Sequence, residues 1–142
     1  MSITTDPILL EKFFSNTANS RCGAVASFVG FVRNHDEGQE VRRLYYECYL
    51  PMAVKMIADL IHRAKSQWAV EDIRVLHRVG MIEVGEAAVA IVVSSAHRQE
   101  AFSACRFVIE GIKREVPIWK KQFFNDDSSE WGVCHHTQEV LL

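Results

Sequence analysis

An apolar run that ends in small polar residues and then becomes helical constrains this chain more than any other feature. Residues 87–94 read AAVAIVVS and predict a strand; Ser95-Ala96-His97-Arg98 follow, and a helical pattern continues to Lys113. The first N–H groups of a helix lack partners within the helix, so this junction is a candidate anion site at His97 and Arg98. The alternative is an ordinary strand–helix junction whose polar residues are merely solvated.

Composition limits the classes of protein that this chain can belong to. Its 142 residues, 49% of them hydrophobic, suit one domain spanning 1–142. The net charge of −2 and the lack of a basic cluster argue against a nucleic-acid partner. No signal-peptide pattern or apolar run of bilayer length is present, so no membrane association is expected and a cytoplasmic location is predicted.

Hydrophobic periodicity predicts an α+β fold around a mainly antiparallel sheet, because strands arrive in pairs joined by short polar loops. Gly30 is expected to mark a bulge or a close backbone approach, residues 33–39 a polar loop and residues 80–86 a turn with acidic residues. The predicted elements, in order, are an opening helix capped by Asp6-Pro7, strands 22–32 and 41–49, a helix over 51–68, strands 73–79 and 87–94, a helix from 98 to about 114, and a hairpin of 119–124 with 130–133.

The cysteines give little support to metal or redox chemistry. Four cysteines are widely spaced without a C-x-x-C pair, and they are interpreted as small buried hydrophobic residues. Cys134-His135-His136 could ligate a metal, but no fourth ligand follows at a useful spacing, and a loose tail is the competing interpretation. His77 is predicted to be a packed or edge-strand histidine. Neither a metal nor a cofactor is expected.

Two lysines flank Pro117 and are the clearest candidates for catalysis. Lys113 lies in the predicted last turn of a helix, where the helix dipole alone would favour it. Lys120 stands between Trp119 and Lys121, a setting that suits proton transfer or nucleophilic work if it is partly buried. Strand alternation places Lys120 on the face opposite Trp119 and Lys121. The alternative is a solvated edge strand protected by its charges.

The candidate chemistry is cationic throughout. No serine-hydrolase elbow, zinc-protease helix or phosphate-binding glycine loop occurs. Arginine suits bidentate recognition of phosphate or carboxylate, and lysine can act as a point charge or as an acid and base. A small anionic substrate is therefore predicted for the set Arg33, His97, Arg98, Lys113 and Lys120.

Several motifs together resemble the catalytic (large) subunit of molybdopterin synthase, the MoaE family. They occur in the family's order over roughly residues 7 to 132, and their combination is specific although no single motif is. They are Phe28-Val29-Gly30-Phe31-Val32-Arg33-Asn34-His35, Tyr46-Glu47 to Tyr49 with Pro51-Met52-Ala53, His77-Arg78-Val79-Gly80, Ser95-Ala96-His97-Arg98, and Lys113 with Pro117-Ile118-Trp119-Lys120-Lys121.

The resemblance implies an α/β-hammerhead-like fold and a sulfur-transfer reaction. Two sulfurs would pass to cyclic pyranopterin monophosphate from the thiocarboxylated C-terminal glycine of a small ubiquitin-like subunit, within a heterotetramer built on a homodimer of this chain. Lys113 and Lys120 match the family's catalytic lysines. The substrate-contact positions that match are Phe31, Val32, Arg33, His97, Arg98, Lys113, Lys120, Lys121 and Gln122. Gln122 departs from the family, which usually has Glu there.

Helix geometry adds a constraint on the assembly. Fifteen helical steps separate Arg98 from Lys113, which places them roughly 22 Å apart, too far for one small pterin to reach both. We therefore expect a site shared between two copies, with His97 and Arg98 of one facing Lys113 and Lys120 of the other. Two other hypotheses remain: a group transferase acting on a different anionic metabolite, and a non-catalytic module that only docks the ubiquitin-like chain.

Overall fold

A computed structural model describes residues 2–133, which form nine strands and three helices. The helices are α1 (Leu10–Phe13), α2 (Leu50–Gln67) and α3 (Arg98–Glu115). The strands are β1 (Ile3–Thr4), β2 (Ala24–Phe31), β3 (His35–Asp36), β4 (Gln39–Cys48), β5 (Val70–Arg78), β6 (Gly80–Glu83), β7 (Ala87–Ser95), β8 (Ile118–Phe124) and β9 (Ser129–Val133).

The first sheet has the strand order β1-β5-β7-β2 and is built around β7. All nine residues of β7 are buried, because the strand has a neighbour on each edge and is covered on both faces. This explains why its sequence is a continuous apolar run rather than an alternating one. The predicted antiparallel pairing of β5 with β7 is confirmed, and β1 adds a parallel pair on β5. The predicted irregularity at Gly30 is also present, as a register shift between Gly30 and Phe31.

The second sheet has the order β3-β4-β8-β9, with β6 paired to β4. Both β6 and β8 pair with the same stretch of β4, so they occupy its two opposite edges. The predicted C-terminal hairpin is β8 with β9. Alternation along β4 is as expected: Leu44 and Tyr46 are buried, whereas Glu47 is exposed.

The two long helices follow their predicted apolar faces. In α2 the buried residues are Ala53, Ile57, Leu60 and Ala64, at helical spacing. Helix α3 packs on α2 and across β2 and β7. Its C-cap Val116 is extended, because Pro117 disfavours helical geometry in the residue before it. The helix therefore ends where the lysine-bearing strand begins.

Three local predictions need correction. The opening helix does not start at Asp6-Pro7: it is a single turn from Leu10 whose N-cap is Leu9. The preceding residues are extended because β1 pairs with β5, and the Asp6 N–H donates to the Thr4 hydroxyl at 3.0 Å instead. The polar loop after β2 contains β3, which forms a hairpin with the adjacent β4, and the predicted turn at 80–86 contains β6, which pairs with residues 43–46 of the distant β4.

The architecture is α+β with mainly antiparallel pairing, divided between two sheets rather than one. One hydrophobic cluster joins both long helices to residues of both sheets. In the part of the chain from residue 2 to residue 133, none of the helices is both long and apolar enough to cross a bilayer.

Candidate functional site

The N-terminus of α3 presents two exposed cationic candidates. His97 is the N-cap residue and Arg98 the first residue of the helix, as the sequence predicts. No side chain caps the helix, so its first N–H groups point to the surface beside these residues. The Ser95 hydroxyl donates to the His97 carbonyl and fixes the turn between strand and helix. This end of α3 can receive a phosphate or carboxylate.

Arg33 lies at the other end of the first sheet. Strand β2 runs antiparallel to β7, with Ala24 beside Ser95 and Phe31 beside Ala87. Phe31, at the end of β2, is therefore seven strand steps of about 3.4 Å from Ala24, which lies beside Ser95 at the end of the sheet where His97 follows. The distance is roughly 24 Å. Helix α3 leaves β7 at the His97 end and packs back across β7 and β2, so Lys113 in its last turn approaches the Arg33 end. The candidate residues thus form two groups.

Lys120 lies on the inner face of the second sheet. It is half-buried and pairs directly with Tyr46 of β4, so the two side chains are on the same face. The Tyr46 ring meets the ring of His77 edge-on at 5.2 Å. His77 is 2% exposed, and its Nδ1 lies 2.8 Å from the Arg78 carbonyl oxygen. The predicted packed histidine is confirmed, and it supports the wall beside Lys120.

Lys121 points away from Lys120, as strand alternation predicts. Its ammonium lies 5.6 Å from the centre of the Trp131 ring and 5.4 Å from that of Phe123. Tyr45 packs edge-on against Trp131 at 6.3 Å on the same face. Cation–π contacts of this kind hold a lysine at a surface. The Lys121 side chain therefore lies on the opposite sheet face from Lys120 and Gln122.

Gln122 belongs to a polar chain that reaches Arg33. Its side-chain amide donates to Asp36 Oδ2 at 2.8 Å, and Asp36 Oδ1 lies 3.5 Å from Arg33 Nη2. Asp36 is thus a candidate site residue that the sequence reasoning missed. The available signal was Gly38, a residue that tolerates the positive φ of a tight hairpin turn and would have placed Asp36 at a strand end.

The remaining predicted contacts differ in accessibility. Phe31 is exposed at the end of β2. Val32 is only 2% exposed, and its backbone N–H and carbonyl bond to Glu86 and Gly85. A role for Val32 in substrate contact therefore stays a prediction. Because its side chain is buried, Val32 can act only indirectly, by holding the backbone around it in place.

A cleft of about 430 Å³ lies beside Tyr46 and includes Cys48 and Gly80 in its wall. Burial, with a smaller effect from Glu47, raises the pKa of the Cys48 thiol. The thiol is therefore protonated at neutral pH and is not an activated nucleophile. Among residues 2–133 no group of three or more His, Cys, Asp or Glu side chains is arranged to hold a metal ion. Cys134-His135-His136 lies outside the described residues.

The arrangement can bind anions at two separate places and can move protons at one of them. Arg33, Lys120 and Gln122 are connected through side-chain contact or a shared strand face, and Lys113 leads into the same strand. His97 and Arg98 lie a helix length away, about 22 Å from Lys113. The structure therefore brings together one group of predicted residues and separates it from the other.

Comparison with known proteins gives a consistent result. Residues 3–115 match the family described as MoaE protein. The chain is 47% identical over 109 residues to the molybdopterin synthase catalytic subunit of Thermoplasma volcanium, covering 77% of this chain and 80% of the relative. The crystal structure of molybdopterin synthase from Staphylococcus aureus superposes with a TM-score of 0.86 at 38% identity, covering 92% and 95% of the two chains.

A more distant structure shares the fold. It is the complex of subunits 1 and 2 of molybdopterin-converting factor from Helicobacter pylori, with a TM-score of 0.76 and 22% identity, covering 92% of this chain and 88% of that one. At this identity the likeness concerns the fold alone.

Proposed function

This chain belongs to the MoaE family and is a catalytic subunit of molybdopterin synthase in molybdenum cofactor biosynthesis, and from this we propose the reaction and the site that carry its activity. We propose that it transfers two sulfurs to cyclic pyranopterin monophosphate and so forms the molybdopterin dithiolene. The observation that carries this proposal is that Lys120 shares a strand face with Gln122, which is linked through Asp36 to Arg33.

The proposed roles follow from the chemistry of each side chain. His97 and Arg98, with the N-terminus of α3, bind the substrate phosphate. Lys113 and Lys120 hold the thiocarboxylate and pass protons as each sulfur adds to the pterin. As each sulfur bonds to a pterin carbon, water cleaves the acyl carbon–sulfur bond of the carrier and leaves the carrier with a carboxylate at its C-terminus. Phe31, Val32 and Gln122 complete the proposed substrate contacts, together with the backbone of Lys121, whose side chain lies on the other face of β8. No metal or cofactor takes part in the proposal.

We propose that the sulfur carrier is a small ubiquitin-like subunit with a thiocarboxylated C-terminal glycine. An extended glycine tail is narrow enough to reach half-buried lysines such as Lys113 and Lys120. The assembly would be a heterotetramer, with a homodimer of this chain at its centre and a carrier on each copy. A cytoplasmic location and a single domain over 1–142 remain part of the proposal.

The distance along α3 supports a site shared by two copies. One pterin cannot span the roughly 22 Å between Arg98 and Lys113. In a symmetric dimer the same surface patches face each other, so each copy can supply both groups, one to each of two sites. His97 and Arg98 of one copy would then complete the lysine group of the other.

Single-turnover sulfur transfer from the thiocarboxylated carrier to cyclic pyranopterin monophosphate tests this function. Lys113→Ala and Lys120→Ala should each slow product formation by about 100-fold or more, because each removes a group that handles protons and charge in the transition state. Lys65→Ala is the matched control, since Lys65 also lies in the last turn of a long helix.

The outcomes separate the competing hypotheses. Unchanged rates in both site variants would show that the lysines are not catalytic. Failure of the unaltered protein to make product while it still binds the carrier would favour a docking module. Binding of phosphorylated ligands but not of the pterin would favour a different group transferase.

A further inference from the structure

We propose that Asp36 is a positioning residue for substrate binding, acting by fixing Arg33 relative to the β8 strand that carries Lys120. This rests on the proposed function, because it takes Arg33 and Lys120 as parts of one site. Asp36 contacts both Gln122 and Arg33, at 2.8 Å and 3.5 Å respectively. No sequence motif pointed to it.

The backbone of Asp36 is held by a tight hairpin. Asp36 pairs with Gln39, and the two residues between them, Glu37 and Gly38, have φ angles of 49° and 82°. Two consecutive positive φ values define a two-residue turn whose twist suits an antiparallel hairpin. The Asn125 N–H donates to the Glu40 carbonyl at 3.0 Å and ties the same hairpin to the end of β8. The carboxylate therefore projects from a fixed frame.

The hydrogen bond to Gln122 has a defined polarity. An ionised carboxylate only accepts, so the Gln122 amide nitrogen must donate. The other carboxylate oxygen is then available to Arg33. That ion pair is solvent-exposed on the arginine side and would orient little by itself. The part-buried amide bond fixes the carboxylate, and the fixed carboxylate orients the guanidinium.

This polarity accounts for Gln122 itself. A glutamate at this position would bring a second carboxylate to hydrogen-bond distance of Asp36, where neither group can donate. The two positions are therefore complementary, an acceptor at 36 and a donor at 122, although 86 residues separate them along the chain. Exchanging the acceptor at position 36 and the donor at position 122 in the same protein, as D36N/Q122E, would restore a hydrogen bond, because the asparagine amide would donate to the glutamate carboxylate.

The link joins the two sheets of the molecule. Arg33 follows β2 of the first sheet, whereas Gln122 lies two residues after Lys120 on β8 of the second. Breaking the link lets the guanidinium move relative to Lys120 without altering either functional group. The expected consequence is weaker substrate binding with little change in the chemical step.

Steady-state kinetics of Gln122→Glu and of the double variant D36N/Q122E test the proposal in the complete complex with the thiocarboxylated carrier. Gln122→Glu should raise KM for the pterin about tenfold, as expected for losing a charge-assisted hydrogen bond. In Asp36→Ala, which alters no proposed substrate contact, kcat should change by less than about twofold. The double variant should recover part of the lost KM, because an amide oxygen at position 36 can still accept from Arg33 although the ion pair is gone. Asp127→Asn is the control, because it removes the carboxylate of a different, exposed ion pair, in which Asp127 Oδ1 lies 3.2 Å from Arg42 Nη2.

A second measurement does not depend on catalysis. Hydrogen exchange of the amides in residues 33–40 should quicken in Gln122→Glu and slow again in the double variant. Should Gln122→Glu fail to fold, Asp36→Ala removes the same link without adding a charge and should raise KM by a similar factor.

The proposal is overturned if the double variant is no better than Gln122→Glu, or if kcat falls while KM is unchanged. An unaltered protein that makes no product contradicts the proposed function instead, and the exchange comparison then still decides whether Asp36 and Gln122 form the link.

Discussion

Burial changes the acid–base behaviour of the Cys105 thiol. Cys105 lies on the inner face of α3 and is 6% exposed. Burial raises the pKa of its thiol from 9.0 to about 11, because the thiolate would be poorly solvated there. The interpretation of the cysteines as buried hydrophobic residues is accurate for Cys105, whereas Cys22 and Cys48 are only half-buried.

This shift predicts an alkaline loss of stability. The folded state holds the thiol proton more tightly than the unfolded state, so the contribution is complete below pH 9, declines as the pH rises to about 11, and is lost above that. Between pH 8 and 11 the free energy of unfolding should fall about 2 kcal/mol more in the unaltered protein than in Cys105→Ala, by urea denaturation. Superimposable pH profiles of the two proteins would contradict this.

At the scale of elements, the contact between α2 and α3 depends on a missing side chain. A Cβ placed on Gly111 would lie 2.3 Å from Leu60 Cδ2, and Leu60 itself is fully buried. The absence of a side chain at Gly111 lets the two helices approach. A glycine inside a helix has poor propensity, so close packing is the physical reason for its presence here.

Gly111→Ala should therefore destabilise the protein by about 1–3 kcal/mol through overpacking, although alanine is the better helix former. In a Leu60→Ala background, itself costing about 2–5 kcal/mol, the same change should become neutral or stabilising because it fills the space left by leucine. Urea denaturation of the four proteins in this cycle measures both effects. An unchanged penalty in the Leu60→Ala background would show that the clash is not the cause.

The short strands are the elements that sequence patterns do not predict. Strands β3 and β6 are two and four residues long, and both are formed by pairing with β4. Neither is long enough to show a period of its own. Strand β1 is similar: Ile3 and Thr4 are extended because they pair with His77 and Arg78 of β5. Local patterns cannot report a partner that lies 70 residues away.

At the scale of the whole molecule, the separation of the two cationic groups determines the assembly that we propose. Helix α3 is continuous from Arg98 to Glu115, so His97 and Arg98 cannot approach Lys113 by bending within one chain. A shared site makes each dimer carry two sites, each built from two copies.

Mixing inactive variants tests this arrangement. Chains carrying His97→Ala with Arg98→Ala should complement Lys113→Ala chains, because half of the sites in each mixed dimer contain no substitution. With random exchange about half of the dimers are mixed, so sulfur transfer should recover to about a quarter of the unaltered rate. Dimers made of only one variant should stay inactive, and their activity is the baseline. Activity of the mixture no higher than the average of the two baselines would place each site within one chain.

Sequence patterns are sufficient to identify the elements whose signal is local and long enough to repeat. Apolar spacing predicts helices α2 and α3 and the buried strand β7, and Pro117 predicts the end of α3. Sequence patterns also identify the family, through motifs in a fixed order, and the opposite facing of Lys120 and Lys121, because alternation is a local property of a strand.

Tertiary packing determines which of these elements contact one another. It divides the strands into two sheets, places Tyr46 beside Lys120 and against His77, and joins Asp36 to Gln122 across 86 residues of chain. Periodicity describes what each segment buries, not which distant segment covers it. Long-range contacts arise from packing the whole chain, and the link between Arg33 and β8 is therefore visible only in the folded molecule.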